Sequence, residues 1–366
     1  MTTVYLIRHA ESEGNFLRIC QGHSDELLSP LGQRQAAALG ERFRSVPLAA
    51  VYTSDLYRAA ATASAVAAPH RLPLQAEFAL REIHLGAFEG LSWGDVYHRY
   101  PELRNESLTA RDRPEQEKRE DVARRMTAAM TAIALRHDGA AVAVVSHGGA
   151  IGAFLDAVFP ETRLSLAGNT SVTTLAYENG WKLLATPELS HLEAAGVPAA
   201  PLFDKNVTDL WFDDVRAGRD DETVARIGRD AWRAVFGSLR DYRPDFFSSN
   251  AARLIGRPGL ASLCMDGDTL AGMLLLDADR TDEAGVGHIS LVYLEPAYRY
   301  RGLGRQLIGH ATVQYRELGR KVLRLNVSQR NKTAIRFYQN VGFHFTNRSL
   351  SDERVMKKSI EVPKLV

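Results

Sequence analysis

Cysteine, long apolar runs and an excess of charge of either sign are all scarce in this chain. Only two of its 366 residues are cysteines, Cys20 and Cys264, and they stand far apart in the sequence. We therefore expect no disulfide framework, and we expect the protein to work in a reducing compartment. Lysine and arginine number 45 against 44 aspartates and glutamates, giving a formal net charge of +1. That balance argues against a broad basic face for nucleic acid or an anionic membrane.

No apolar run approaches membrane-spanning length, and the first residues enter a strand-like pattern without the features of a secretory signal. A cytoplasmic protein is therefore expected. The length exceeds what one hydrophobic core usually holds, which predicts two domains. Residues 193–201 are rich in alanine and proline and lack periodicity, as in an exposed linker. We expect domains over 1–192 and 202–366, joined by the linker 193–201.

Strands and helices alternate in the first part, which predicts a three-layer α/β domain. There the pattern predicts strands at 4–7, 49–52 and 141–145, helices at 56–68 and 117–135, a helix start at Ser29-Pro30, and a hairpin of 171–177 with 181–185. In the second part it predicts helices at 222–235, 304–318 and 332–339, with strands at 261–265, 269–276, 288–294, 322–327, 354–357 and near 343.

Four segments of the first part place polar groups at strand ends or in the loops that follow. They are Arg8-His9, Ser54 to Arg58, the segment 80–86 with Glu82, and Ser146-His147. Ligands of parallel sheets bind at this edge. A phosphoryl group needs cationic donors around its oxygens, which arginine supplies bidentately, and an in-line nucleophile, which imidazole can be. A carboxylic acid can protonate the leaving alkoxide. The pattern predicts phosphoryl transfer.

These residues resemble the histidine phosphatase superfamily, which includes cofactor-dependent phosphoglycerate mutases, over about residues 3–190. The resemblance also rests on Gln21-Gly22 before Ser29-Pro30, and on the run from Leu80 to Gly90; Ala10 replaces the family's usual glycine. It implies that His9 is the nucleophile and Glu82 the general acid. The phosphate-binding residues that it implies are Arg8, Asn15, Gln21, Gly22, Arg58 and His147. Three further histidines, His23, His84 and His98, are expected to be loop residues.

Hydrolysis is expected rather than mutase activity. The mutases of this superfamily carry a long insertion after the acid, whereas the segment 91–113 is short here. Pro114 to Glu117 resembles the Pro-x-Gly-Glu-Ser signature of the phosphatase branch, with Gln116 and Lys118 in place of its glycine and serine. An accessible pocket would let water reach the phosphohistidine.

In the second part, Gly302 and Gly304 lie between a predicted strand and a helix. Glycines there let backbone amides turn toward one point at the positive end of the helix, which suits a pyrophosphate. The Arg299-x-x-Gly-x-Gly304 form, with the segment 331–343, resembles the GNAT acetyltransferases over about residues 203–360. This implies an α+β fold with a mixed, mostly antiparallel sheet, and acetyl-CoA as cosubstrate. The implied cofactor-binding residues are Leu294, Arg299, Arg301, Gly302, Leu303, Gly304, Arg305 and Asn331.

The same resemblance implies that Tyr338 is the general acid for the CoA thiolate. Glu295 is either the base that deprotonates the amine or a loop carboxylate. No metal is expected at either site, because arginines and histidine serve the phosphoryl group and backbone amides the pyrophosphate. The expected partners are a small phosphoester and an amine, free or in a peptide. Two alternatives stay open: an acetyltransferase with a vestigial phosphatase fold, or an acetyl-CoA sensor that controls the phosphatase.

Overall fold

The computed structural model describes residues 1–104, 116–162, 164, 168–199, 208–280, 282–350 and 352–362. The strands are β1 (Thr2–Arg8), β2 (Ala50–Thr53), β3 (Leu74–Ala76), β4 (Ala141–Ser146), β5 (Val172–Tyr177), β6 (Trp181–Glu188), β7 (Trp211–Asp214), β8 (Ala261–Asp266), β9 (Thr269–Asp277), β10 (Val286–Leu294), β11 (Val322–Ser328), β12 (His344–Leu350) and β13 (Glu353–Ser359). The helices are α1 (Glu13–Leu17), α2 (Pro30–Phe43), α3 (Tyr57–Ala67), α4 (Trp93–Arg99), α5 (Arg119–Arg136), α6 (Gly148–Val158), α7 (Ser190–Ala194), α8 (Asp221–Phe236), α9 (Pro244–Leu254), α10 (Gly304–Glu317) and α11 (Lys332–Asn340). Over this described part, no helix has both the length and the apolar composition that crossing a bilayer requires.

The first six strands form one sheet, in the order β3-β2-β4-β1-β5-β6. The four strands from β3 to β1 are parallel, and β5 and β6 complete the sheet in antiparallel fashion. Arg8 at the end of β1 pairs with Ser146, and Thr53 at the end of β2 pairs with Val145. The loops that follow these strands therefore meet at one edge of the sheet.

Helices cover both faces of this sheet. Successive side chains of its central strands point to opposite faces, and because both sets are apolar, each face needs cover. Leu6 and Val144 pack with residues of α5 and α6 on one face. Ile7 and Val145 pack with residues of α2 and α3 on the other. The predicted three-layer α/β fold is confirmed.

The other seven strands form the second sheet, in the order β12-β13-β11-β10-β9-β8-β7. Its one parallel pair is β10 with β11, and the other described pairs are antiparallel. One hydrophobic core joins these strands to α8, α9, α10 and α11. This is the mixed, mostly antiparallel sheet expected from the sequence.

The predicted start of α2 is confirmed, because Ser29 Oγ accepts from the Gly32 amide at 2.9 Å and Pro30 is the first helical residue. Seven of the helices and strands described above were not predicted from the sequence, namely α1, β3, α4, α6, α7, β7 and α9. The helix expected from 117 begins at Arg119. Within the expected linker, residues 193 and 194 belong to α7, and 200 and 201 lie outside the described residues.

The segment after β1 packs into the core of the second sheet. Leu17 and Ile19 are 2% and 3% exposed and belong to the same hydrophobic cluster as Leu307 and Ile308 of α10. At Gly309 a Cβ atom would lie 3.0 Å from the Leu17 carbonyl oxygen, so a glycine permits the close approach of α10 to α1. The two sheets thus share a packed interface next to the β1 loop.

Three ion pairs between described residues cross this interface, and one of them joins Arg18 to Asp209. Lys358 Nζ on β13 donates to Glu13 Oε1 on α1, and both side chains are buried or nearly so. Arg316 Nη1 on α10 donates to Glu26 Oε1 at 2.7 Å, and the Glu26 side chain is 3% exposed. Removing one partner of such a pair leaves a buried charge without compensation.

We expect Lys358→Met to lower the free energy of unfolding by about 3–5 kcal/mol, because it strands the Glu13 carboxylate. Denaturant unfolding of the intact chain measures the change. Lys321→Met is the matched control, since Lys321 pairs with Glu361 in an exposed position and should cost at most about 1 kcal/mol. Adding Glu13→Gln to Lys358→Met should recover most of the loss. Equal costs for the two lysines would contradict the prediction.

Candidate functional site

His9 follows β1 directly, and its side chain is 3% exposed. Its Nδ1 lies 2.7 Å from the Ala10 carbonyl oxygen. A carbonyl only accepts hydrogen bonds, so Nδ1 carries the proton and the Nε2 lone pair is left unprotonated in the neutral ring. The local backbone thus selects the tautomer that a nucleophile attacking through Nε2 requires.

His147 lies next to His9, at the residue that precedes α6. The two ring centroids are 5.1 Å apart, with the planes inclined by 55°. The His147 side chain is fully buried, and neither ring nitrogen has a hydrogen-bond partner among the described residues. Buried polar atoms are normally paired, so the N–H group of this ring marks a place where a ligand oxygen would accept a hydrogen bond.

Two arginines flank this histidine pair. Arg58, in the first turn of α3, is 1% exposed and donates through Nη1 to Ser24 O at 2.8 Å and through Nη2 to Gly22 O at 2.7 Å. Its Nε has no partner among the residues that the structure describes. The Arg8 guanidinium passes over Gly148, where a Cβ atom would lie 3.3 Å from Arg8 Nε. The pocket therefore holds two positive charges beside two imidazoles.

Both imidazoles are neutral near pH 7. Burial, reinforced by the charges of Arg58 and Arg8, holds the pKa of His9 well below the ordinary histidine value. Burial and the charge of Arg58 do the same to the pKa of His147. Because neutral His9 keeps its lone pair, the arginines that would bind a phosphoryl group also keep the nucleophile unprotonated.

The Glu82 carboxylate lies at the start of α6, beside His147. It accepts from the amides of Gly149 at 3.0 Å and Ala150 at 2.8 Å, which have no acceptor within the helix. A Cβ atom at residue 149 would come within 2.6 Å of Glu82 Oε1, so a glycine keeps this space open. The backbone amide of Ile83 donates a third bond at 2.9 Å.

Asn15, Gln21 and Gly22 lie in the loops around this pocket. Asn15 Oδ1 accepts from the backbone amide of Ser12, the residue that caps α1, at 3.2 Å, and Gln21 Oε1 accepts from the Ser12 hydroxyl group at 2.6 Å. Gly22 contributes the carbonyl that holds Arg58, at a positive φ of 51°. In this structure the three residues shape the pocket, and direct contact with a phosphoryl group stays a prediction.

In the second sheet, β10 and β11 separate part-way along their length. They pair in parallel register from Val286 with Val322 to Ile289 with Leu325, although β10 continues to Leu294. A bulge interrupts β10 between Ile289 and Leu291, and beyond it the described strand pairs with β9 and not with β11. The edge of residues 290–294 that faces away from β9 is thus not paired with β11, and an extended ligand could add there as a strand.

The glycine loop lies between this strand and α10. Gly302 has a φ of 73°, which favours glycine, and Leu303 is 2% exposed. At Gly304 a Cβ atom would lie 2.9 Å from the Phe337 ring, so this glycine permits close packing of α10 on α11. Both glycines thus have a geometric reason, and the first amides of a helix such as α10 have no acceptor within the helix.

The other predicted cofactor residues make different contacts. Arg299 Nε donates to Leu294 O at 2.8 Å, and Arg301 Nη2 donates to Thr208 Oγ1 at 3.1 Å. The Arg305 guanidinium lies 5.5 Å from the centre of the Phe16 ring, across the interface. Asn331 caps α11 by accepting from the Ala334 amide. Contact of these side chains with a cofactor stays a prediction.

Tyr338 and Glu295 were the candidate acid and base of this second site. Tyr338 is half-buried against the rings of Phe337 and Phe343. Desolvation raises the pKa of its phenol, so the hydroxyl group keeps its proton. Glu295 accepts from Arg226 Nη2 at 2.6 Å and from the Tyr293 hydroxyl at 3.2 Å. Both oxygens of Glu295 thus already accept hydrogen bonds, which agrees with the alternative that it is a loop carboxylate.

Residues 4–187 match the family described as histidine phosphatase superfamily (branch 1). The chain belongs to this superfamily. Residues 223–343 match the acetyltransferase (GNAT) family, so one chain carries a histidine phosphatase domain and a GNAT domain.

The probable phosphoglycerate mutase GpmB of Proteus mirabilis is 32% identical over 206 residues, which cover 52% of this chain and 95% of that protein. Phosphoglycerate mutase-like protein 4 of Arabidopsis thaliana is 33% identical, over 53% of this chain and 88% of that protein. The solved structure of Bacillus stearothermophilus YhfR has a TM-score of 0.50 and 32% identity, covering 52% of this chain and all of that one. These similarities concern the phosphatase half.

Three histidines were expected to be loop residues. His98 instead lies on α4, where its ring stacks on that of Trp211 with centroids 3.6 Å apart. The other two lie in loops at the phosphatase pocket. His23 packs edge-to-face on His84, with centroids 4.9 Å apart, and its Nε2 lies 2.8 Å from Glu82 O. Asn169 was also missed, and it donates to the carbonyl of His9 at 2.9 Å. His23 and Asn169 contact backbone carbonyls, and residue spacing does not reveal such contacts. Hydrolysis was expected from the segment 91–117, of which residues 105–115, including Pro114 and Glu115, lie outside the described residues.

Proposed function

We propose that the chain hydrolyses phosphomonoesters through a phosphohistidine and transfers acetyl groups from acetyl-CoA to an amine. The observation that carries the first activity is the buried pair of neutral imidazoles between two arginines. His9 Nε2 attacks the phosphorus, forming an N–P bond as the ester P–O bond breaks. Arg8, Arg58 and His147 hold the phosphoryl oxygens, and Glu82 protonates the departing alkoxide. Water then attacks the phosphorus and gives a proton to the Glu82 carboxylate, while the N–P bond breaks and phosphate leaves His9.

The second activity is supported by the end of β10–β11 pairing at Ile289 and by the glycine loop at the start of α10. The edge of residues 290–294 that faces away from β9 suits an amide-bearing pantetheine arm, and the loop amides from 301 to 305 suit a pyrophosphate. When bound, acetyl-CoA supplies the activated acetyl group. Tyr338 holds a proton at its hydroxyl group, ready for a leaving thiolate.

Mutase activity is the second candidate for the phosphatase domain, because the curated relatives include probable phosphoglycerate mutases. Both reactions pass through the same phosphohistidine. They differ in the final acceptor, which is water for the hydrolase and a second hydroxyl group for the mutase. Incubation with 3-phosphoglycerate should release inorganic phosphate under our proposal, whereas a mutase would yield its 2-phospho isomer.

Glu82→Gln in the intact chain tests the proposed function. We expect it to slow the hydrolysis of alkyl phosphates by about 10²–10⁴-fold, because a poor leaving group needs the proton. Aryl phosphates with acidic phenols should lose far less, and acetylation of an amine panel should not change. Steady-state kinetics with both ester classes measure the effect. Equal losses on both classes would show that Glu82 binds phosphate instead of donating a proton.

A further inference from the structure

Arg125, on α5, directs three of its five N–H groups at the loop that carries Glu82. Its Nη1 donates to the carbonyls of Ala79 and Arg81, both at 2.8 Å. Its Nη2 donates to the carbonyl of Glu82 itself at 2.9 Å. A guanidinium has five N–H donors in a rigid fork, and three of them here donate to backbone carbonyls within residues 79–82.

The other two donors bind Glu117. Nε donates to Glu117 Oε1 at 2.7 Å and Nη2 to Oε2 at 2.8 Å. The backbone amide of Glu117 donates to His84 O at 2.9 Å, and its Oε2 accepts from the His84 amide at 3.3 Å. Burial alone would raise the pKa of Glu117, but the hydrogen bonds and charge of Arg125 hold it below the ordinary value. The ion pair therefore holds the loop on both sides of Glu82.

The Glu82 side chain is fixed at its other end by the amides at the start of α6. Its backbone position consequently decides whether the carboxyl group also reaches a leaving oxygen bound next to His147. A misplacement of about 1 Å in a reacting group costs on the order of 100-fold in rate. We propose that Arg125, supported by Glu117, is a positioning residue that sets the reach of the general acid. This inference rests on the proposed phosphatase function.

Arg125→Met in the intact chain should slow alkyl phosphate hydrolysis by about 10- to 100-fold and leave aryl phosphates nearly unchanged. Arg124→Met is the matched control, because the neighbouring Arg124 side chain is 77% exposed and pairs only with Asp121 among the contacts described. The control should alter neither ester class. Thermal unfolding of both variants accompanies the kinetics. A folded Arg125→Met protein that loses both classes equally would overturn the proposal.

The double variant separates positioning from general damage. If Arg125 acts through Glu82, then Arg125→Met should add little further loss on alkyl phosphates in a Glu82→Gln background. Losses that multiply would overturn the proposal even where Glu82 is confirmed as the acid. If Glu82→Gln itself fails to distinguish the ester classes, the acid assignment falls first, and the Arg125 proposal with it.

Should Arg125→Met not fold, Glu117→Gln carries the same test. It removes the charge of the ion pair and keeps an acceptor for Arg125, so the loop should loosen without collapse. A selective loss on alkyl phosphates, smaller than that of Arg125→Met would be, supports the proposal. A folded Glu117→Gln protein without leaving-group selectivity overturns it.

Discussion

His9→Ala should reduce phosphoester hydrolysis by the intact chain by about 10⁴-fold or more, because the variant lacks the atom that takes the phosphoryl group. Quenching the wild-type reaction during turnover should trap a phosphoryl group on His9 that is labile in acid and stable in base. The variant should show no such label. Mass spectrometry of the quenched protein measures its presence and position.

The control is His70→Ala. His70 lies in the same domain, where its Nε2 bonds the Phe43 carbonyl, and it has no contact with the pocket among the residues described. Both variants should acetylate amines at the wild-type rate. Hydrolysis that survives in His9→Ala, or a label that moves to another residue, would remove His9 from the mechanism.

The pocket could be predicted because strand ends converge in a parallel sheet. Arg8 and Ser146 are paired in register, so the residues after them, His9 and His147, had to be neighbours once both strands were recognised. Arg58 comes shortly after β2, and β2 pairs with β4, so Arg58 was expected at the same edge. The residue types at these positions carry the chemistry, and a sequence displays residue types directly.

The support of the acid could not be predicted in this way. Arg125 acts on three backbone carbonyls, and a carbonyl is present at every residue, so the contact leaves no trace in the sequence. Leu17 and Ile19 present a related difficulty. Their apolar side chains are compatible with a core in either domain, and only the packing against α10 shows that they belong to the core of the GNAT domain.

Gly304→Glu should abolish acetyl-CoA binding, because it places a negative charge where the pyrophosphate is expected. Thermal unfolding with and without acetyl-CoA measures binding, since a ligand that binds only the folded state stabilises it. At a concentration of 100 Kd the wild type should gain about 2.7 kcal/mol, seen as a rise in Tm. Gly304→Glu should show no rise.

Gly304→Ala is the matched control for this variant. Its Cβ atom meets the Phe337 ring just as that of glutamate would, so both variants should start from a lowered Tm. Without the added charge, Gly304→Ala should still respond to acetyl-CoA.

Tyr338→Phe should keep the full rise in Tm and lose acetyl transfer, whereas unchanged transfer would exclude the phenol as acid. A wild type without any response to acetyl-CoA or CoA would overturn the acetyltransferase proposal. If the wild type responds but acetylates no amine in the panel, the acetyl-CoA sensor becomes the better reading, and acetyl-CoA should then change the rate of phosphoester hydrolysis.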